Sequence, residues 1–220
     1  MNFTVINKSY QNPPLCKKEI FRYAGCQKPY AETEALLESC IKESEGKFTY
    51  RVCYCELPVK VNGDECDFGA FCVRSSNLAS NLNGCKTVIV FAATVGVEID
   101  RLIAKYGRLS PSKALMFQAI GAERIEALCD CFCADLAQTA KAGQKPRFSP
   151  GYGDLPISVQ CDVFKLLECG KRIGLTLNDS LLMSPSKSVT AFVGIGGKEF
   201  SKPNKCSLCK MQSCAFRGVL

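Results

Sequence analysis

The segment Thr87-Val88-Ile89-Val90-Phe91-Ala92-Ala93-Thr94 constrains the fold more than any other part of this chain. It is an almost unbroken run of β-branched and apolar residues, which is the pattern of a strand buried on both faces rather than one with a solvated side. Such a strand lies inside a sheet, with cover above and below it. At Gly96 the chain turns into a helix spanning about Val97 to Tyr106.

The flanking segments supply the rest of that sheet and its cover. Pro29 begins a helical stretch with Ala31, Leu36, Leu37, Cys40 and Ile41 near helical spacing and acids in its first turns, as the helix dipole favours. Gly46 ends it. From Lys47 to Glu56 the pattern alternates, with Phe48, Tyr50, Val52 and Tyr54 on one face of a half-buried strand. A second strand is expected over Cys66 to Val73, and Ser75 or Ser76 then caps a short helix that stops at Asn83-Gly84. Ser110-Pro111 opens the longest helix, which runs to about Lys141 and closes at Ala142-Gly143. A loop rich in Gly and Pro covers Gln144 to Pro156, a helix spans Ser158 to Cys169, and a last strand runs from Ser188 to Ile195. Helices and strands mix without a regular βαβ alternation, so the expected fold is α+β: a single domain over residues 1–200 with an antiparallel or mixed sheet and several helices. A short cysteine-rich tail, residues 201–220, follows a break rich in Gly, Lys and Pro.

Composition removes several functions. The 220 residues include no histidine, which excludes the commonest general base, the commonest zinc ligand and every Ser-His or Cys-His nucleophile pair. The net charge of +7 is spread along the chain without a dense basic run, so nucleic acid is not the expected partner, and a basic face that meets an acidic protein explains it equally well. The N-terminal segment lacks the pattern of a signal peptide, and the best apolar run is about half a membrane span. These features read as a cytoplasmic protein with no membrane role. The sixteen cysteines then read as reduced thiols rather than a disulfide framework, which suits a setting poor in oxygen.

The segment Arg147-Phe148-Ser149-Pro150-Gly151-Tyr152-Gly153-Asp154 carries the most chemistry. Its glycines let backbone groups approach a ligand closely, and Pro150 stiffens the path between the arginine and the tyrosine. The guanidinium is a planar fork for a carboxylate, and the phenol ring is a flat surface for an adenine or a cation. Together they suit a zwitterion with a flat base at its other end.

This segment resembles the Arg-x-x-x-Gly-Tyr signature of the S-adenosylmethionine-binding activation domain of cobalamin-dependent methionine synthase. Val90-Phe91-Ala92-Ala93-Thr94-Val95-Gly96 is similar to that family's Phe-Ala-x-Thr-x-Gly stretch, the Arg124-Ile125-Glu126-Ala127 helix continues the likeness, and Leu182-Met183-Ser184-Pro185-Ser186-Lys187-Ser188-Val189 resembles its Met-x-Pro-x-x-Ser-Val segment. The resemblance covers residues 85 to 195. It implies that Arg147 binds the cofactor carboxylate, that Glu126, or Glu123 one turn earlier, holds the ammonium group, and that backbone at Ser149 and Gly151 with the ring of Tyr152 completes the pocket. The family's Trp-Tyr pair in the last strand reads here as Phe192-Val193, so one wall of the adenosyl pocket is expected either to be altered or to be supplied by Phe192. No catalytic side chain is implied. The chain resembles the activation module as a separate polypeptide, acting in trans on a methionine synthase or related corrinoid protein that carries the cobalamin, with a flavodoxin or ferredoxin as electron donor.

Three further cysteines, Cys206, Cys209 and Cys214, form a C-x-x-C with a third thiol five residues on, a spacing suited to zinc or an iron-sulfur cluster that lacks its fourth ligand. A metal-binding or electron-transfer adaptor that keeps the fold without S-adenosylmethionine is therefore the alternative function. Cys129, Cys131 and Cys133 point in different directions on a helix and read as core residues, as do Cys53 and Cys55 on their strand.

Overall fold

The computed structural model describes residues 3–26, 28–140 and 143–196. The chain enters through β1 (Ile6–Tyr10) and two helices, α1 (Lys17–Tyr23) and α2 (Ala31–Ser44), before the first long strand, β2 (Tyr50–Pro58). A small meander of β3 (Lys60–Asn62), β4 (Glu65–Asp67) and β5 (Cys72–Arg74) precedes α3 (Ser76–Leu82) and the strand β6 (Cys85–Thr94). Two helices pack against one another next, α4 (Glu98–Leu109) and α5 (Pro111–Ala140). The chain then runs through β7 (Gly143–Gln144), α6 (Gln160–Leu167), α7 (Cys169–Ile173), β8 (Thr176–Leu177) and β9 (Met183–Ser184) into β10 (Ser188–Gly196).

The principal sheet is antiparallel throughout, in the order β1-β2-β6-β10-β7, and β6 is its central strand. Alternation along the strands divides the core in two. Ile89, Phe91 and Ala93 of β6 face a layer made by α1, α2, α4 and α5, together with Tyr50 and Val52 of β2 and Ala191 and Val193 of β10. Val88, Val90 and Ala92 face the opposite way, with Cys53, Cys55 and Leu57 of β2 and Phe192 of β10, onto α3, α6, α7 and the meander. This is the α+β domain the sequence predicts, and β6 is covered on both faces. The centre of the helical side is aromatic: Phe132 of α5 meets Phe91 at 4.9 Å and Tyr54 at 5.1 Å between ring centroids.

Three expectations change. The stretch Cys66 to Val73 is two strands rather than one, because Gly69 adopts φ 72° and its N–H donates to Asp67 Oδ1 at 2.8 Å, reversing the chain. The strand after α2 is buried on both sides, since α7 also packs on it. The helix expected over Ser158 to Cys169 is interrupted at Glu168, whose left-handed φ of 49° separates α6 from α7. Elsewhere Ser75 caps α3 as predicted, its hydroxyl accepting from Leu78 N at 3.0 Å.

Buried charge fastens the N-terminal segment to α5. Glu123 and Arg124 pair at 2.6 Å, Arg124 also donates to the carbonyls of Pro13 and Pro14 at 2.7 Å each, and Cys16 N donates to Glu123 Oε1 at 2.9 Å. Among the described residues no helix is long and apolar enough to cross a membrane, and the cysteines described are free thiols.

Candidate functional site

The loop of interest begins as an edge of the principal sheet. Gly143 and Gln144 pair with Gly196 and Ile195, Lys145 N donates to Gly194 O at 2.9 Å, and Phe148 and Phe192 exchange both backbone hydrogen bonds at 2.9 and 2.8 Å. In extended backbone successive side chains point to opposite faces. Phe148 accordingly packs toward the meander side, whereas Arg147 reaches α5 on the other.

Beyond Phe148 the chain tightens. Ser149 O accepts from Tyr152 N at 3.1 Å, Gly151 N donates to Leu155 O at 2.9 Å, and Leu155 N donates to Tyr152 O at 3.0 Å. Gly151 and Gly153 have φ of 88° and 56°, and a Cβ at Gly153 would lie 2.6 Å from Asn77 Nδ2. Asp154 holds the loop to the start of α3: it accepts from the Ser75 hydroxyl, from Ser76 N at 2.7 Å and from Asn77 N at 3.2 Å. The Ser75 hydrogen bond, with the amides of Asn77 and Ser76, holds the Asp154 carboxyl below its usual range. Tyr152 is thereby presented outward, 68% exposed.

Arg147 is the buried end of the same loop. Its side chain is 10% exposed, and its Nη2 lies 2.8 Å from Glu126 Oε2 and 2.9 Å from Asp130 Oδ1. Four residues apart on α5, these carboxylates share one helix face and are 39% and 70% exposed. The other terminal nitrogen, Nη1, is buried without a hydrogen-bond partner among the described residues. Of the two glutamates open to the ammonium role, Glu126 is the one beside Arg147; Glu123 is committed to Arg124 and Cys16.

The structure thus brings Arg147, Glu126, Ser149, Gly151 and Tyr152 into one neighbourhood, with corrections to how they are disposed. Arg147 and Glu126, expected to hold the carboxylate and the ammonium group at the amino-acid end of a ligand, hold each other. The Gly151 N–H is engaged by Leu155 and the Ser149 carbonyl by Tyr152. Phe192, expected as a pocket wall, is 0% exposed and stacks on Phe68 at 5.3 Å, because its place in β10 turns it toward the side that the meander covers. Sequence reasoning passed over Asp130, which its i+4 spacing from Glu126 marks, and the tether made by Asp154.

Cys53, Cys55 and Cys129 are buried in the core as predicted, while Cys131 and Cys133 are partly exposed. Among the described residues no group of three or more His, Cys, Asp or Glu side chains could hold a metal ion. Cys206, Cys209 and Cys214 lie outside the described residues. A cavity of about 410 Å³ opens elsewhere, between Asn12, Ile41, Phe48 and Arg124, but its arginine is already occupied by Glu123 and two prolyl carbonyls.

No family model and no curated protein matches the sequence. Among solved structures the chain is similar to the MetH reactivation domain bound to AdoHcy, at 14% sequence identity and a TM-score of 0.66, over 90% of this chain and 80% of that one. At such identity the likeness is one of architecture: this chain has the fold of the MetH reactivation domain.

Proposed function

We propose that the chain binds S-adenosylmethionine at the Arg147 to Tyr152 loop and supports reductive methylation of the cob(II)alamin form of a partner methionine synthase or related corrinoid protein. The observation that carries this reading is the state of Arg147: a guanidinium nine-tenths buried, one nitrogen shared by two carboxylates and the other without a partner among the described residues. A zwitterion is the ligand class that can enter such a pair without leaving a charge stranded, since its carboxylate takes the arginine while its ammonium takes Glu126. The left-handed glycines keep the adjacent backbone free of Cβ atoms, and the exposed ring of Tyr152 offers a face for a purine. That the structurally similar MetH domain is bound to AdoHcy supports an adenosylated amino acid as the ligand.

Bound there, S-adenosylmethionine would supply an electrophilic methyl group to reduced cobalt. The residues of this chain contribute grip and aim, because the nucleophile belongs to the partner and no side-chain base is needed. Titration calorimetry tests the binding: the expected result is saturable uptake of S-adenosylmethionine that Arg147→Ala weakens by about tenfold or more. Absence of uptake by the wild type, or uptake indifferent to Arg147, overturns it. The corrinoid spectrum of a candidate cob(II) protein, followed with reductant and ligand, tests the role in trans.

The buried Phe192 and the double ion pair of Arg147 favour a second reading, in which the loop is a structural lock and the chain is a metal-binding or electron-transfer adaptor on the same fold. Calorimetry would then be flat, and metal analysis of the purified protein would find zinc or iron at the C-terminal cysteines.

A further inference from the structure

We infer that Asp154 is the positioning residue for the adenosyl end of this site, holding Tyr152 in place through α3. The inference rests on the S-adenosylmethionine reading above and deepens it, because it divides the site into two separately mounted halves. Arg147, at the amino-acid end, leaves a sheet edge held by β10 and lies against α5. Tyr152, at the other end, is 68% exposed, and its ring meets Phe148 obliquely, at 6.5 Å between centroids and 60° between planes. Packing fixes so open a ring poorly, so its position depends on the backbone on either side.

That backbone is fastened to α3. The Asp154 carboxylate takes three donors there: Oδ1 accepts from the Ser75 hydroxyl and from Asn77 N at 3.2 Å, and Oδ2 accepts from Ser76 N at 2.7 Å. The mount is itself fixed. Ser75 N donates to Asp64 O at 2.8 Å, the Ser75 hydroxyl accepts from Leu78 N at 3.0 Å, and Leu78, Ala79 and Leu82 are buried in the core on that side of the sheet. Gly153, between the tyrosine and the aspartate, runs so close to Asn77 that a Cβ would lie 2.6 Å from Nδ2, so the loop has no room to slide along α3. Two turn bonds carry this placement back to the ring, from Leu155 N to Tyr152 O at 3.0 Å and from Tyr152 N to Ser149 O at 3.1 Å. A ring presented before the ligand arrives spares the ordering that binding would otherwise require.

Asp154→Asn keeps the size of the side chain but turns an NH2 toward one of its donors, so at least one hydrogen bond and the charge assistance of the others are lost. Ser76→Pro reaches the same contact from the other side. It deletes the Ser76 N–H at the first position of α3, where proline is tolerated, after a Ser75 that is already extended. Titration calorimetry with S-adenosylmethionine compares the wild type, these two variants, Tyr152→Ala, Arg147→Ala, and the doubles that join each tether variant to each of the last two. Either tether variant is expected to weaken binding about fivefold, and Tyr152→Ala about tenfold. Because Asp154 acts through the tyrosine, a tether variant should add less than about twofold in the Tyr152→Ala background and about its full fivefold in the Arg147→Ala background. A general loosening of the domain would add the same factor in both backgrounds, and that result would overturn the inference. So would tether variants that bind within about twofold of the wild type. Either outcome leaves the site itself standing, whereas absence of uptake by the wild type overturns the site and the inference together.

Discussion

How firmly Arg147 is tied to α5 decides whether a ligand can displace it. Replacing Arg147 by Met keeps most of the aliphatic volume and removes the charge, leaving Glu126 and Asp130 at 39% and 70% exposure. Both carboxylates can rehydrate where they stand, so the cost in unfolding free energy should be about 1–2 kcal/mol rather than the roughly 3–5 kcal/mol of a sealed pair. Glu126→Gln should cost still less, about 1 kcal/mol or under, because Asp130 remains within 2.9 Å to compensate the guanidinium. Urea unfolding of the wild type, the two single variants and the double variant gives these terms and their coupling, which should be about 1 kcal/mol. The consequence for binding is direct, since each ~1.4 kcal/mol needed to open the pair weakens a ligand about tenfold. A pair worth about 1–2 kcal/mol leaves a micromolar ligand well within reach, whereas one worth about 4–5 kcal/mol would make the arginine a structural lock. Destabilisation near the larger figure, or a Glu126→Gln variant as damaged as Arg147→Met, would refute the exchange of an internal pair for a zwitterion.

Further expectations concern the frame that holds this site. Phe132→Ala removes the ring between Phe91 and Tyr54 and should destabilise the domain by about 3–5 kcal/mol in chemical unfolding. Gly153→Ala combines a left-handed φ of 56° with a collision against Asn77, so the loop should shift and become open to protease at Arg147, readable by limited tryptic digestion. Glu43, hydrogen-bonded by Tyr106 and then by Lys113 and Lys105, has its carboxyl held down at about 2 from an ordinary 4.5. A depressed folded value means stability present above pH 4.5 and lost as pH falls toward 2, so Glu43→Gln should flatten the acid limb of a stability profile across that window.

Much of the frame was legible because its signals are local. The apolar run of β6 announced a strand covered on both faces, Ser75 announced its helix, and Ser110-Pro111 announced the start of α5. The elements that escaped are short or set by distant contacts. Strand β1 is five residues whose alternation says little until Tyr10 meets Asp135 at 2.8 Å, 125 residues away. The break at Glu168 depends on a left-handed residue that is not glycine, for which local sequence gives no cue. At the site, residue types were readable and partners were not. Sequence offers an arginine and two acids, and only the docking of the 143–148 edge beside α5 decides that they meet each other before they meet anything else.

That docking has one cause, and the cause limits what the loop can do. Because Phe148 pairs with Phe192 through both backbone bonds, the parity of the edge is fixed: odd Arg147 goes to the helices and even Phe148 to the meander. A shift of one residue would send the guanidinium into the core around Phe68 and Phe71, which offers it no carboxylate. The Asp154 tether on α3 sets the other end of the loop, so only the residues between, from Ser149 to Gly153, are left to adapt to a ligand. Tyr152 is the single large side chain in that interval and points outward, held between a strand parity on one side and a helix cap on the other. A ligand bridging Arg147 and Tyr152 would therefore span the edge of the sheet, with its amino-acid end toward α5 and its flat end toward solvent, where a partner surface could close over it.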